Sequence, residues 1–175
     1  MGHSISIRNY RNDVADQELI DLIDAVYSGP DTGFDVVVHT SGCPDDPGRR
    51  GHHRYFPNRA LPHVIELFVS PISDAVTKGQ PMGGRHTVPR TVREGIFLVM
   101  AHELRHAEQA LVHAKGNNKV FYAGKYKDKA CEKDARSSVD DRYDIIMALA
   151  EILPTDVPPW YKGMVKVSNK KEDGR

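Results

Sequence analysis

A chain of 175 residues with 39% apolar and 27% charged residues suits one globular domain with a sizeable core and excludes wholesale disorder. Lys plus Arg number 24 and Asp plus Glu number 24, so the whole-chain field steers no particular partner. Two cysteines, no apolar leader and no run of membrane-spanning length exclude a disulfide framework, a Cys-based zinc module and a membrane partner, and lead us to expect a soluble, cytoplasmic protein.

In chain order, residues 4–8 alternate polar residues with Ile5 and Ile7, a short strand signal. Residues 13–27 read as a helix with Leu19, Leu22, Ile23 and Val26 on one face and acids on the other. Ser28, Gly29 and Pro30 stop it. Residues 34–40, with three consecutive valines, predict a buried strand. Residues 41–62 read as a loop, and residues 64–69 as a further strand. Residues 70–90 read as a second long irregular stretch.

The best-defined helix covers about 92–115, with Thr91 and Glu94 as a capping box at its start. A connection over 116–127 leads to a last helix at 129–152, with Asp128 as N-cap. The order strand, helix, strand, strand, helix, helix predicts an α+β domain over 1–153 and a tail over 154–175. Six lysines between 115 and 133 read as a solvated face; a basic rim that attracts an acidic partner is the sharper alternative.

His102 and His106 are four apart on the confident helix. They differ by ~40° around the axis and ~6 Å along it, so two imidazoles can converge on one tetrahedral ion. Glu103 lies beside them and can polarise water at the metal. It falls inside the apolar arc of Val92, Ile96, Val99, Met100, Leu104, Ala107 and Leu111, where a carboxylate needs compensation. The competing reading is a buried Glu satisfied by an Arg, with two surface histidines.

A catalytic zinc needs a third protein ligand. Glu132, in the first turn of the last helix, is the candidate, and Asp134 is the alternative. His113 shares the sector but lies ~10 Å beyond His106 along a straight helix. His39, His52, His53 and His63 match no ligand template.

These residues resemble the gluzincin metallopeptidases, in particular the compact minigluzincin type. In that group a His-Glu-x-x-His helix precedes a Glu-x-x-Ala motif on a second helix; here the second motif is Glu132, Lys133, Asp134 and Ala135. The resemblance covers about 90–150 by motif and 1–150 by element order. It implies a zincin-like fold, with a small twisted sheet on the active-site helix and a second ligand-bearing helix. It also implies one zinc ion and a peptide or protein substrate, bound by strand addition to 64–69. Hydrolysis would proceed through a zinc-activated water with Glu103 as general base. Tyr122, Tyr126, Tyr143 and His86 are candidate transition-state stabilisers. One departure stands out. Many gluzincins carry an Asp after that Ala to orient a zinc-bound His, and here the residue is Arg136; Asp128 or Asp140 are the substitutes to look for. A zinc-stabilised, catalytically weak binding module is therefore the alternative. A nucleic-acid partner is not expected.

Overall fold

A computed structural model describes residues 3–55, 62–113 and 129–150. Four strands form one sheet: β1 (Ser4–Asn9), β2 (Gly33–His39), β3 (Gly51–Arg54) and β4 (His63–Phe68). Their spatial order is β1-β2-β4-β3. β1, β2 and β4 run parallel, and β3 returns antiparallel along β4. Helix α1 (Asp16–Val26) makes the crossover between β1 and β2.

The pleat sorts the two faces of the sheet. Phe34, Val36, Val38, Ile65 and Leu67 are buried against the helices. The other face combines buried Val37 and Phe68 with charged pairs, Arg8 bonded to Asp35 at 2.9 Å and Arg54 to Glu66 at 2.6 Å. A small mixed sheet with its helices packed on one face makes the class α+β, as expected from the element order.

Helix α3 (Val92–His113) is the hub. Ile96, Phe97, Leu98, Val99, Met100 and Ala101 are all buried, so its first half is enclosed on every side, beyond the single stripe that periodicity indicated. Thr91 Oγ1 accepts from the Glu94 N–H at 3.1 Å, half of the expected capping box. The Glu94 carboxylate instead accepts from the Arg90 N–H at 2.7 Å.

Five expectations fail here. The stretch 41–62 contains β3, which seals the side of β4 away from β2. Residues 63–68 are therefore paired on both sides and offer no edge to an added strand; that edge belongs to β3. The stretch 70–90 contains α2 (Val69–Thr77), which leaves β4 with no intervening turn. The last helix is two, α4 (Ala130–Asp141) and α5 (Tyr143–Leu149). They meet at Arg142, whose guanidinium donates to Val26 O and holds the joint against α1. Lys129, not Asp128, occupies the N-cap of α4. Asp128, the connection 116–127 and the tail 154–175 lie outside the described residues. No described helix is long and apolar enough to cross a membrane.

Candidate metal centre

His102, Glu103 and His106 sit at the middle of α3, and Glu132 in the first turn of α4. Packing of α4 on α3 brings Glu132 to the two imidazoles. His102 Nε2 lies 3.1 Å from His106 Nε2. His102 Nε2 is 3.4 Å from Glu132 Oε2, and His106 Nε2 is 3.4 Å from Glu132 Oε1. Among the described residues, these three make the only cluster able to hold a metal ion.

The protons on the two rings follow from their other nitrogens. His102 Nδ1 is 2.9 Å from the Gly83 carbonyl, which can only accept, so Nδ1 carries the proton. His106 Nδ1 is 2.7 Å from Gln109 Oε1. The Gln109 amide donates to Cys131 O at 2.9 Å and to Asp134 Oδ2 at 2.7 Å. Both partners are acceptors, so the NH2 end of Gln109 is fixed and its oxygen accepts from His106. Both Nε2 lone pairs then face one another across 3.1 Å, which is repulsive unless a cation or a proton lies between them.

Glu132 adds to the demand for a cation. Its Oε2 is buried without a hydrogen-bond partner. Burial pushes its carboxyl up, but contact with His102 and His106 outweighs this and holds it well below the usual carboxylate range. Burial likewise lowers His106, yet Glu132 and Glu103 leave it raised. An acidic carboxylate and two ring nitrogens with pre-aimed lone pairs are a donor set that fits a divalent ion.

Apart from Asp140, the supports come from places the sequence reading missed. Gly83 sits at φ +69°, and a Cβ there would lie 2.4 Å from Leu98 O. Only glycine lets this backbone lie against α3 and hand its carbonyl to His102. The loop is pinned by Thr87, whose Oγ1 accepts from the Gly84 N–H at 2.8 Å and donates to Met82 O at 2.5 Å. Asp140 accepts from the Arg85 N–H at 3.2 Å. Asp140 thus reaches His102 through the loop rather than by direct contact. Asp134, the alternative ligand, is committed to Gln109 and to Arg105 at 2.7 Å. Arg105 pairs with Asp134 and Glu108, so it does not satisfy Glu103.

Glu103 is only 6% exposed, and no described residue hydrogen-bonds its carboxylate. It lies against β3: a Cβ on Gly51 would come 2.7 Å from its Oε1 and 2.6 Å from Val99 Cγ1. Together these residues open on a cleft of about 1260 Å³, walled by β3, the 81–85 loop and the start of α4. Arg50 O accepts from the Phe68 N–H at 2.9 Å, so Arg50, His52 and Arg54 bond towards β4. By alternation, Gly51 and His53 turn their N–H and C=O groups to the open side.

Other candidates fall elsewhere. Tyr143 is buried in the core, and its hydroxyl is pushed up to about 12 by burial and by nearby Glu94. His86 is exposed and does not line the cleft, although its neighbour Arg85 does. Tyr122 and Tyr126 lie outside the described residues. The four remaining histidines do not join in a second centre: His53 bonds His63 at 2.8 Å, while His39 contacts Glu66 at 3.2 Å on the polar face.

No family model, no curated protein and no solved structure matches the chain.

Proposed function

We propose that the chain is a zinc-dependent, zincin-like metallopeptidase of the gluzincin type that cleaves peptide bonds within proteins. The observation that carries the reading is the spacing of the donor atoms. A tetrahedral zinc with bonds of ~2.0–2.1 Å has ligand-to-ligand edges of about 3.3 Å. His102 Nε2 and His106 Nε2 stand 3.1 Å apart with their lone pairs pre-aimed, and each is 3.4 Å from its own oxygen of Glu132, so all the contacts are close to that edge length.

When bound, the zinc supplies the Lewis acidity that makes water a nucleophile near neutral pH and polarises the substrate carbonyl. The chain's own residues supply the rest. Gly83 and Gln109 hold both imidazoles in the ligating tautomer. Glu103, without a hydrogen-bond partner among the described residues and lining the cleft, takes a proton from the attacking water and passes it to the leaving amine. The outward N–H and C=O groups of Gly51 and His53 pair with an extended substrate as an added strand. That pairing lays the substrate backbone beside Glu103, which approaches β3 at Gly51. The cleft also brings Arg85 and Arg136 within its walls, and either can stabilise developing negative charge.

The test is metal analysis with cleavage of casein. Wild type should carry one zinc per chain and degrade casein, and Glu103→Gln should keep the zinc and lose cleavage. Equal activity in that variant would remove the assignment. One zinc per chain with no proteolysis by wild type would favour a zinc-stabilised binding module, a reading motivated by Arg136 standing where an orienting carboxylate is usual.

A further inference from the structure

The cleft is basic on one side of the metal centre. Its lining includes Arg49, Arg50, Arg85, Lys129 and Arg136 against Asp46, Glu103 and Glu132. Two of those acids are occupied: Asp46 faces Arg49 at 3.4 Å, and Glu132 faces the two histidines. Arg136 is half-buried, and no described carboxylate pairs with it. Its place on α4 is informative. Glu132, Arg136 and Asp140 repeat every four residues and so share one face of the helix. At one end of that face Glu132 joins the metal donors. At the other, Asp140 holds the Arg85 N–H. Arg136 therefore lies between the metal centre and the loop that carries Arg85, and both side chains line the cleft.

A half-buried guanidinium keeps its charge and loses hydration, so it is satisfied best by an anion brought into the cleft. Its planar fork matches a carboxylate. One helical turn separates Arg136 from Glu132, a rise of ~6 Å. An extended peptide advances ~3.3 Å per residue. A carboxylate reaching Arg136 thus belongs to a residue within about two positions of the bond at the metal.

We propose that the cleft selects acidic peptides, with Arg136 and Arg85 gripping a substrate carboxylate within about two residues of the scissile bond. This rests on the peptidase reading and names its substrate class. The carboxylate has two sources, an acidic side chain or the peptide's C-terminus.

The test uses zinc-loaded Glu103→Gln protein, so that binding is read without turnover. Three fluorescein-labelled short peptides are compared by anisotropy: one with central glutamates and an amidated C-terminus, the same with glutamines, and the glutamine peptide with a free C-terminus. We expect at least one carboxylate peptide to bind about tenfold or more tightly than the amidated glutamine peptide. Which one does so identifies the source. Adding Arg136→Gln and Arg85→Gln should bring the ratio to about one, with zinc content unchanged. Equal affinity for all three peptides, or a preference that survives loss of both arginines, would overturn the proposal. Failure of the peptidase reading looks different: a carboxylate preference that disappears with the arginines, together with a wild type that cleaves no peptide.

Discussion

Among the described residues two pairs of histidines lie close together, and their differences say what fits one of them to a metal ion. His102 and His106 approach Nε2 to Nε2 at 3.1 Å; His53 and His63 approach Nε2 to Nδ1 at 2.8 Å. In the second pair, one ring donates to the other and the contact is an ordinary hydrogen bond. His63 is fully buried and stacks on Tyr55 with centroids 4.5 Å apart. Burial pushes His53 down to about 3 and His63 down to about 4, so both rings are neutral. In the first pair, each Nδ1 proton is already given to Gly83 or Gln109, and a buried carboxylate faces both rings. Proximity is the same; the fate of the other nitrogens decides which pair can take a cation.

The largest effect should separate the pairs outright. Replacing Glu132 with Ala should lower zinc affinity by more than ~100-fold, beyond what loss of an outer partner costs. His63→Phe should leave one zinc per chain. Competition against a chromophoric chelator reads both. Equal loss in the two variants would erase the distinction.

Next come the supports. Gln109→Leu frees His106 to rotate and exchange tautomers, and should cost ~10–100-fold in zinc affinity. Asp140→Ala acts one link further away, through the 82–87 loop, and should cost less than Gln109→Leu. If neither change matters, the ring orientation is set by something other than these hydrogen bonds.

β3 joins the two regions, since Gly51 touches Glu103 and His53 bonds His63. Gly51→Val should destabilise by about 1–3 kcal/mol through overpacking. It should also reduce peptide cleavage more than zinc content, because it displaces Glu103 and the open edge rather than a ligand. Denaturant melts, metal analysis and casein assays on one preparation distinguish these effects.

The smallest effect is on pH dependence, where His53 and His63 should differ in sign from His106. His53 and His63 have folded pKa values below the unfolded value of ~6.5, so the unfolded chain binds more protons below that pH. Their contribution to stability is full above about 6.5 and falls as pH drops towards about 4 and then 3. His106 is raised, so its contribution in metal-free protein is present below ~6.5 and is lost as pH rises through its folded value. The thermal midpoint of chelated His63→Phe should lose less on acidification than that of wild type. A steeper loss would reverse the assignment.

How much of this was legible in the sequence depended on the kind of signal each residue leaves. His102, Glu103 and His106 were legible because helical spacing places side chains without knowledge of the fold, whereas Glu132, on another helix, was reached through the apolar face of that helix and the family resemblance. Gly83 was not, because it acts through its carbonyl, which every residue has. Gln109 was within reach: it is three residues after His106, one helical neighbour away. β3 is four residues, Gly51 to Arg54, with no Val, Ile, Thr, Phe, Tyr or Trp, so only its pairing with β4 defines it as a strand. α2 was hidden because it begins where β4 stops, with Pro71 tolerated in its first turn. The break at Arg142 has neither Gly nor Pro; a tertiary contact to Val26 O holds it. Local periodicity reached His102, Glu103 and His106, and long-range contacts built what surrounds them.

The central claim is that His102, His106 and Glu132 together hold one zinc, with room for a further, non-protein ligand. X-ray absorption at the zinc edge of the one-to-one protein tests it most directly. Cys131 borders Glu132 and lines the same cleft, so sulfur is the informative competitor. The account predicts two imidazoles with nitrogen and oxygen at ~2.0–2.1 Å and no sulfur. It also predicts that the imidazole signature disappears in the His102→Ala, His106→Ala double variant. A sulfur shell at ~2.3 Å, or an unchanged spectrum in that variant, would contradict it.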